Sequence, residues 1–349
     1  MKTNSIKTKS VAILTALLIA VLCIPIMSGC KADKKFTLKY DGNGDKYYSF
    51  SLSGYTSSLK GEYEIPSYYG EGEDRAPVSE IETEGLAYTQ ITKLTIPDTV
   101  TKIGVAAFSY NYNLREVVFE EGSKITELER GVFGYCRALE SVIIPESVTS
   151  IGALAFLNCE QLKSATLPAG LKNIGESAFQ GCGSLSAITL PEGLLKIGDT
   201  AFYNSGLEEI TVPDSVRDTV IETTDGEGKP VKETEYGLGF GAFHSCTKLK
   251  KAIVGGGVTV LQSGAFGYCT ALEEVYLPSS LKTVQGARYE NDKLVSGHAF
   301  HNDEALARVY FSGSESEWNG IEIINDKVTS QGATYDNKAL DRAQKIFAK

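Results

Sequence analysis

Eight phenylalanines recur in register along this chain, and no other feature constrains its fold as much. Phe108, Phe133, Phe156, Phe179, Phe202, Phe243, Phe266 and Phe300 are separated by 25, 23, 23, 23, 41, 23 and 34 residues. The longer gaps are 23 plus 2, 18 and 11, so they read as insertions into a fixed frame. The cleanest copies are IPESVTSIGALAFLNCEQLKSAT (144–166) and LPAGLKNIGESAFQGCGSLSAIT (167–189). They define a unit of apolar-Pro-x-x-Val/Leu-x-x-Ile-Gly-x-x-Ala-Phe-x-x-Cys-x-x-Leu, closed by an apolar-x-apolar segment. A fixed period of roughly 20–50 residues marks a chain built by stacking one supersecondary unit on the next.

Each position has a physical task. Val142-x-Ile144, Ile188-x-Leu190 and Val275-x-Leu277 alternate in the period of a short half-buried strand. Pro145, Pro168, Pro191, Pro213 and Pro278 follow at once and, lacking an N–H, end the ladder. Gly104, Gly152, Gly175, Gly198 and Gly239 are expected at a tight corner that only glycine enters without strain. Ala-Phe is expected inside, on a single helical turn. One such coil cannot offset the entropy of ordering its backbone. Stacking buries both faces of each coil, so the expectation is a β-rich solenoid of about nine or ten coils, each with one parallel strand and a short helical turn opposite.

Cys136, Cys159, Cys182, Cys246 and Cys269 each lie three residues after a repeat phenylalanine, and Cys23 and Cys30 complete the seven. Sharing one register, the five are expected to form a buried column of free thiols. Asn111, Ser205 and Asp303 take the same position in other coils, a variation that a disulfide framework would not tolerate.

The unit resembles the BspA-like leucine-rich repeat family of bacterial surface proteins over about Ile65 to Ile321, and VYFSGSESEWNGI (309–321) resembles that family's terminal coil. The resemblance implies a leucine-rich-repeat solenoid on a cell surface and binding to matrix proteins or other cells. It carries no catalytic motif.

The first residues read as an address. Lys2, Lys7 and Lys9 precede an uncharged run from Val11 to Met27, which at 17 residues falls short of the roughly 20 that span a bilayer. Met27-Ser28-Gly29-Cys30 resembles a bacterial lipobox, with Met where Leu is usual, which implies cleavage before Cys30 and acylation of its thiol. The expected product is exported and held by lipid on the outer face of the cell membrane. Loss of residues 1–29 changes the net charge from −10 to −13, which argues against nucleic acid as a partner.

The expected organisation is signal peptide 1–29, lipid-anchored stem 30–35, N-terminal β cap 36–63, solenoid 64–322 and C-terminal tail or cap 323–349. Asp41-Gly-Asn-Gly-Asp45 reads as the turn of a hairpin in the cap; as a calcium loop it has Lys46 where Gly is needed and Leu52 where Glu is needed. Ser314-Glu-Ser-Glu317 is a capping box opening a short helix that brings in Trp318, and Leu340, Ala343, Ile346 and Phe347 suggest a second short helix in the tail. The insertions 217–236 and 285–296 each have β-leaning arms around a turn and are expected to project from one side.

Two surfaces are candidates for a macromolecular partner, a protein or a glycan. One is the insertions, with Arg217 in the first and Arg288 and Tyr289 in the second. The other is the outward strand row on the concave sheet, where Ile143, Tyr276 and Tyr310 stand among mainly β-branched residues. His298-x-x-His301 with Asp303 and Glu304 is not expected to hold a metal, because Phe300 between them is core. No nucleophile elbow, phosphate loop or dinucleotide fingerprint occurs, so neither enzyme nor cofactor is expected. The readings left are an adhesion or protein-binding lipoprotein, a passive envelope spacer, and capture of glycan or peptide for a neighbouring transporter.

Overall fold

The computed structural model describes residues 33–53, 59–224, 229–290, 293–325, 328–330 and 333–348. The expected leader and lipidation site, Cys30 included, lie outside these residues.

The repeat folds as coils. In one of them the strand Ser141–Ile143 ends at Pro145, whose carbonyl accepts Val148 N–H at 3.0 Å. The two-residue strand Ser150–Ile151 follows, then Gly152, the turn bearing Phe156, and the next strand, Ser164–Thr166. Strands of successive coils pair in parallel. One sheet runs from Lys60–Glu64 through Gln90–Ile96, Glu116–Phe119 and Ser141–Ile143 to Ser164–Thr166. A second runs from Glu209–Thr211 through Lys251–Ile253, Glu274–Leu277 and Arg308–Phe311 to Gln344–Phe347. The two-residue strands form their own ladder beside them.

Between the two large sheets, Ile188-x-Leu190 carries no strand, contrary to the sequence reading. The gap coincides with a shortened coil. From Ser205, in the cysteine position, to Leu207 there is one residue fewer than from Cys182 to Leu185. That pulls Gly206 onto the preceding coil, where a Cβ would lie 2.3 Å from the Gly183 oxygen.

The eight phenylalanines are fully buried and stack ring on ring at 5.1–5.5 Å with planes 4–18° apart. Burying each side chain contributes about 1.5–3 kcal/mol, and each ring pair about 0.5–1.5 kcal/mol more. The column ends in leucine on both sides. Leu86 N–H donates to Ala107 O at 2.8 Å just as Phe108 N–H donates to Val132 O at 2.9 Å, so Leu86 fills the ring position of the first coil. At the far end Ala339-Leu340 is buried where Ala-Phe would be.

The tail is therefore a last coil. Its helix is Lys338–Arg342 alone; Ile346 and Phe347, expected to extend it, lie in the strand Gln344–Phe347, paired in parallel with Arg308–Phe311. The open edge of that neighbour supplies partners that a helix could not use. Asn337 closes the coil: it accepts Phe300 N–H on Oδ1 and donates Nδ2 to Gln285 O and Ile324 O. Ser314 caps the helix Glu315–Trp318 through the expected capping box, and Trp318 is buried against Phe311.

The turns that carry the rings are not continuous helix. Residues two before and two after the ring adopt positive φ, as in Leu154 (62°) and Asn158 (54°) around Phe156. This alternation turns every second N–H toward the next coil, Phe156 N to Ala178 O at 2.8 Å for one. The Ile-Gly glycines sit elsewhere and have a different reason from the one expected. Gly175 has no positive φ, but a Cβ there would lie 2.5 Å from Ala153 N on the preceding coil. Close approach of backbones, not a tight corner, demands glycine.

The five thiols are free and fully buried. Each donates to the carbonyl of the previous coil's phenylalanine, Cys159 Sγ to Phe133 O at 3.3 Å among them. Asn111 does the same to Leu86 O with Nδ2 at 2.9 Å. Burial pushes the Cys136 and Cys182 thiols up to about 12 and keeps them neutral.

At the N-terminus Asp33–Tyr40 and Lys46–Ser53 form an antiparallel hairpin that joins the small-strand side through Ala76–Ile81. It begins within the stretch read as a stem, and Lys60–Glu64, read as cap, pairs with Gln90–Ile96 as the edge of the first large sheet. Asp41 Oδ1 accepts both Asn43 N and Asp45 N, at 2.8 and 2.9 Å, so the carboxylate closes a turn.

Candidate functional site

On the large sheets every second side chain points out. Parallel register puts these residues in columns: Glu209, Lys251, Glu274, Arg308 and Gln344 in one, Thr211, Ile253, Tyr276, Tyr310 and Ile346 in the next. The first column alternates in sign and neutralises itself. Arg308 Nε donates to Glu274 Oε1 at 2.8 Å and holds that carboxyl below the usual carboxylate range. The second column is an apolar and aromatic strip. Tyr276 and Tyr310 stack with centroids 4.3 Å apart and planes within 6°. Lys251 Nζ lies 5.1 Å over the Tyr276 ring, and Tyr276 OH donates to Glu274 Oε2 at 3.2 Å. The pair is thus oriented before any partner arrives, which lowers the ordering cost of binding.

Ile143 is 72% exposed, but it belongs to the other large sheet, beside a groove of about 480 Å³ between 116–123 and 141–147. The tyrosines and Ile143 therefore occupy separate sheets.

The insertions fold as antiparallel hairpins, Thr219–Thr224 with Pro230–Glu235 and Arg288–Glu290 with Lys293–Ser296. A third, Val328–Ser330 with Ala333–Tyr335, interrupts the last coil and was not foreseen. Asp218 anchors the first: Oδ1 accepts Gly237 N at 3.0 Å, and Oδ2 accepts Thr259 N, Thr259 Oγ1 and Val260 N at 3.0, 2.6 and 3.1 Å. Arg217 is exposed at its foot, lining a cleft of about 630 Å³ under the hairpin. Arg288 and Tyr289 lie in the second hairpin, and their side chains are outside the described residues.

An aromatic surface escaped the sequence reading. Tyr88, Tyr110 and Tyr135 stack at 4.6 and 4.7 Å along three coils, Tyr112 packs edge-on to Tyr110, and Arg137 covers the Tyr112 ring at 5.6 Å. Their common signal was available: the three lie two residues after the ring position. Among the described residues no three His, Cys, Asp or Glu side chains are placed to hold a metal. His244 instead stacks on Tyr203 at 5.2 Å, and burial holds it down to about 4.

A solenoid whose coils each add one parallel strand is the architecture of a leucine-rich-repeat protein. The BspA type leucine rich repeat region matches residues 111–222 and 232–316 in six copies, and the chain belongs to that family. Among solved structures it is similar to a leucine rich cell surface protein from Faecalibacterium prausnitzii A2-165, with 22% identity, 84% of this chain and 98% of that one covered, and a TM-score of 0.47. It is also similar to leucine-rich repeat proteins from Bacteroides ovatus (20% identity, 92% and 91% covered, TM-score 0.37) and Eubacterium ventriosum (21%, 79% and 69%, 0.44). No curated protein matches the chain. No helix among the described residues is long and apolar enough to cross a membrane.

Proposed function

We propose that this protein is a lipid-anchored surface module that binds a macromolecular partner, in the first place a protein, through the strand face around Tyr276 and Tyr310. The observation that carries the reading is the stacked tyrosine pair, flanked by Ile253 and Ile346 and bordered by charges that neutralise one another. Such a strip presents apolar area without isolated charge, and tyrosine is favoured at the centre of protein interfaces. Arg217, Arg288 and Tyr289 would contribute from the insertion side. The lipobox-like Met27–Cys30 supports export and acylation at Cys30, which would leave the solenoid on the outer face of the cell membrane.

Two experiments test this. Cells carrying the Tyr276→Ala/Tyr310→Ala variant are expected to lose tenfold or more of their retention on immobilised matrix proteins, with the unfolding midpoint almost unchanged. Retention equal to wild type removes the strand face from the reading. Labelled palmitate is expected in the wild type and absent from Cys30→Ala; label in the variant refutes the anchor.

A further inference from the structure

A second cavity lies between the first two hairpins. It measures about 500 Å³ and is lined by Lys196, Asp199, Tyr236, Gln262, Ser263 and Gln285 among others. Through Lys196, Asp199, Glu235 and Tyr236 it adjoins the cleft that holds Arg217, so the two form one trough around the foot of the first hairpin.

Gln262 is the unexpected residue. It takes the place of the glycine in the Ile-Gly pair, where Gly152, Gly175, Gly198 and Gly239 stand in other coils. Its side chain is 92% buried, and the amide Nε2 has no hydrogen-bond partner. The position is not always glycine, since Glu82, Glu129 and Gln285 hold it in other coils, but at Gln262 it leaves a buried donor unpaired, which is costly until an acceptor reaches it. Beside it, Gln285 Oε1 is held only by long bonds from Ser263, at 3.4 and 3.5 Å. An amide donor and an amide acceptor thus meet in one wall.

The charges lining the trough are mixed in sign. Lys196 is ion-paired with Glu235. Asp199 accepts Phe240 N at 3.0 Å, and burial together with Asp199 pushes Glu176 up on the adjoining floor. An anion or a cation would meet groups of both signs and so gain little net attraction for the water it loses. A neutral ligand with alternating donors and acceptors avoids that desolvation cost. The Tyr236 ring adds a flat apolar surface at the junction, and Gly152, Gly175 and Gly198 keep the floor low along the solenoid axis. Hydroxyl groups act as donor and acceptor at once, and a pyranose ring has a C–H face to set on an aromatic.

We propose that this inter-hairpin trough is a binding site for a neutral oligosaccharide, with Gln262 and Gln285 engaging ring hydroxyls and Tyr236 packing on a sugar face. The site is separate from the strand face and does not depend on it.

The test uses the mature chain and a panel of neutral trisaccharides (maltotriose, cellotriose, triacetylchitotriose) beside trigalacturonate and trialanine, with saturation-transfer NMR and titration calorimetry as readouts. At least one neutral trisaccharide is expected to bind, at least tenfold more weakly after Gln262→Ala or Tyr236→Ala and unchanged after Tyr276→Ala/Tyr310→Ala. Tyr236 is borne on the hairpin side, so its variant keeps the test valid if Gln262→Ala fails to fold. The proposal falls if no neutral member binds, if Tyr236→Ala binds as wild type does, or if trigalacturonate or trialanine binds in preference. Loss in Tyr276→Ala/Tyr310→Ala alone would move the sugar to the strand face and also overturn it.

Discussion

Two stacks of aromatic rings run along the same coils, one inside and one outside. The inner stack of phenylalanines spans eight coils without a break and is fully buried. The outer stack, Tyr88, Tyr110 and Tyr135, covers three and then yields to Asn158, Gly181 and Asn204. Both have the period of the frame, yet only one is obligatory. Inside, a missing ring leaves a void whose walls lose their contacts outright. Outside, water fills the space, and the backbone even disfavours tyrosine: Tyr88, Tyr110 and Tyr135 have φ of 57°, 58° and 62°, the left-handed region that asparagine and glycine enter more easily. Periodicity is thus evidence of core only where it is unbroken. Where it is local, the residues answer to something else.

The sharpest way to break this comparison is Phe179→Ala, at the centre of the inner stack. It is expected to cost about 3–5 kcal/mol in chemical denaturation. A loss under 1 kcal/mol would mean that the column is not the common core.

The next effect concerns the inner thiol column, in which Asn111, Ser205 and Asp303 replace cysteine and only Asp303 brings an acid. Asp303 stands where cysteine would, fully buried, and neither carboxylate oxygen has a hydrogen-bond partner. In that register the side chain should donate to Phe266 O, as Cys269 donates to Phe243 O at 3.2 Å, and only the protonated acid can. Burial accordingly pushes Asp303 well above its ordinary 3.8. The sign follows from linkage. The folded state keeps a proton that the unfolded state releases, so the contribution of Asp303 to stability is greatest below about pH 4. That contribution falls as pH rises, by up to about 1.4 kcal/mol per unit, until the folded group also ionises. Asp303→Asn, which retains a donor, is expected to raise the unfolding midpoint at pH 7 and flatten its decline between pH 4 and 7. Equal slopes in both proteins would show that Asp303 is solvated.

The smallest effect sharpens the outer side. Tyr135→Asn should change stability by no more than about 1 kcal/mol, because relief of the left-handed backbone offsets the lost stacking of about 0.5–1.5 kcal/mol. A cost like that of Phe179→Ala would make the two stacks equivalent.

Much of this was legible along the chain, and the exceptions have physical causes. The ring column, the thiols and the first two hairpins could be read because each repeats a residue type or interrupts a count. Leu86 and Leu340 could not: leucine is common in the frame, and insertions hide their spacing. Gly175 was recognised as necessary but for the wrong reason, since a clash with Ala153 N on the neighbouring coil has no trace in local sequence. Ile346 and Phe347 gave a helical spacing until the strand edge beside them claimed their backbone.

By itself the sequence determined that the chain stacks, with which period, and which side chains lie inside, because burial acts on every coil alike and so is written many times over. Only the tertiary structure decided which outer residues meet. The Tyr276–Tyr310 pair, the split between the large sheets at a coil one residue short, and the trough that joins Gln262 to Tyr236 each depend on how one particular coil sits on the next. A contact made once leaves no repeat to read.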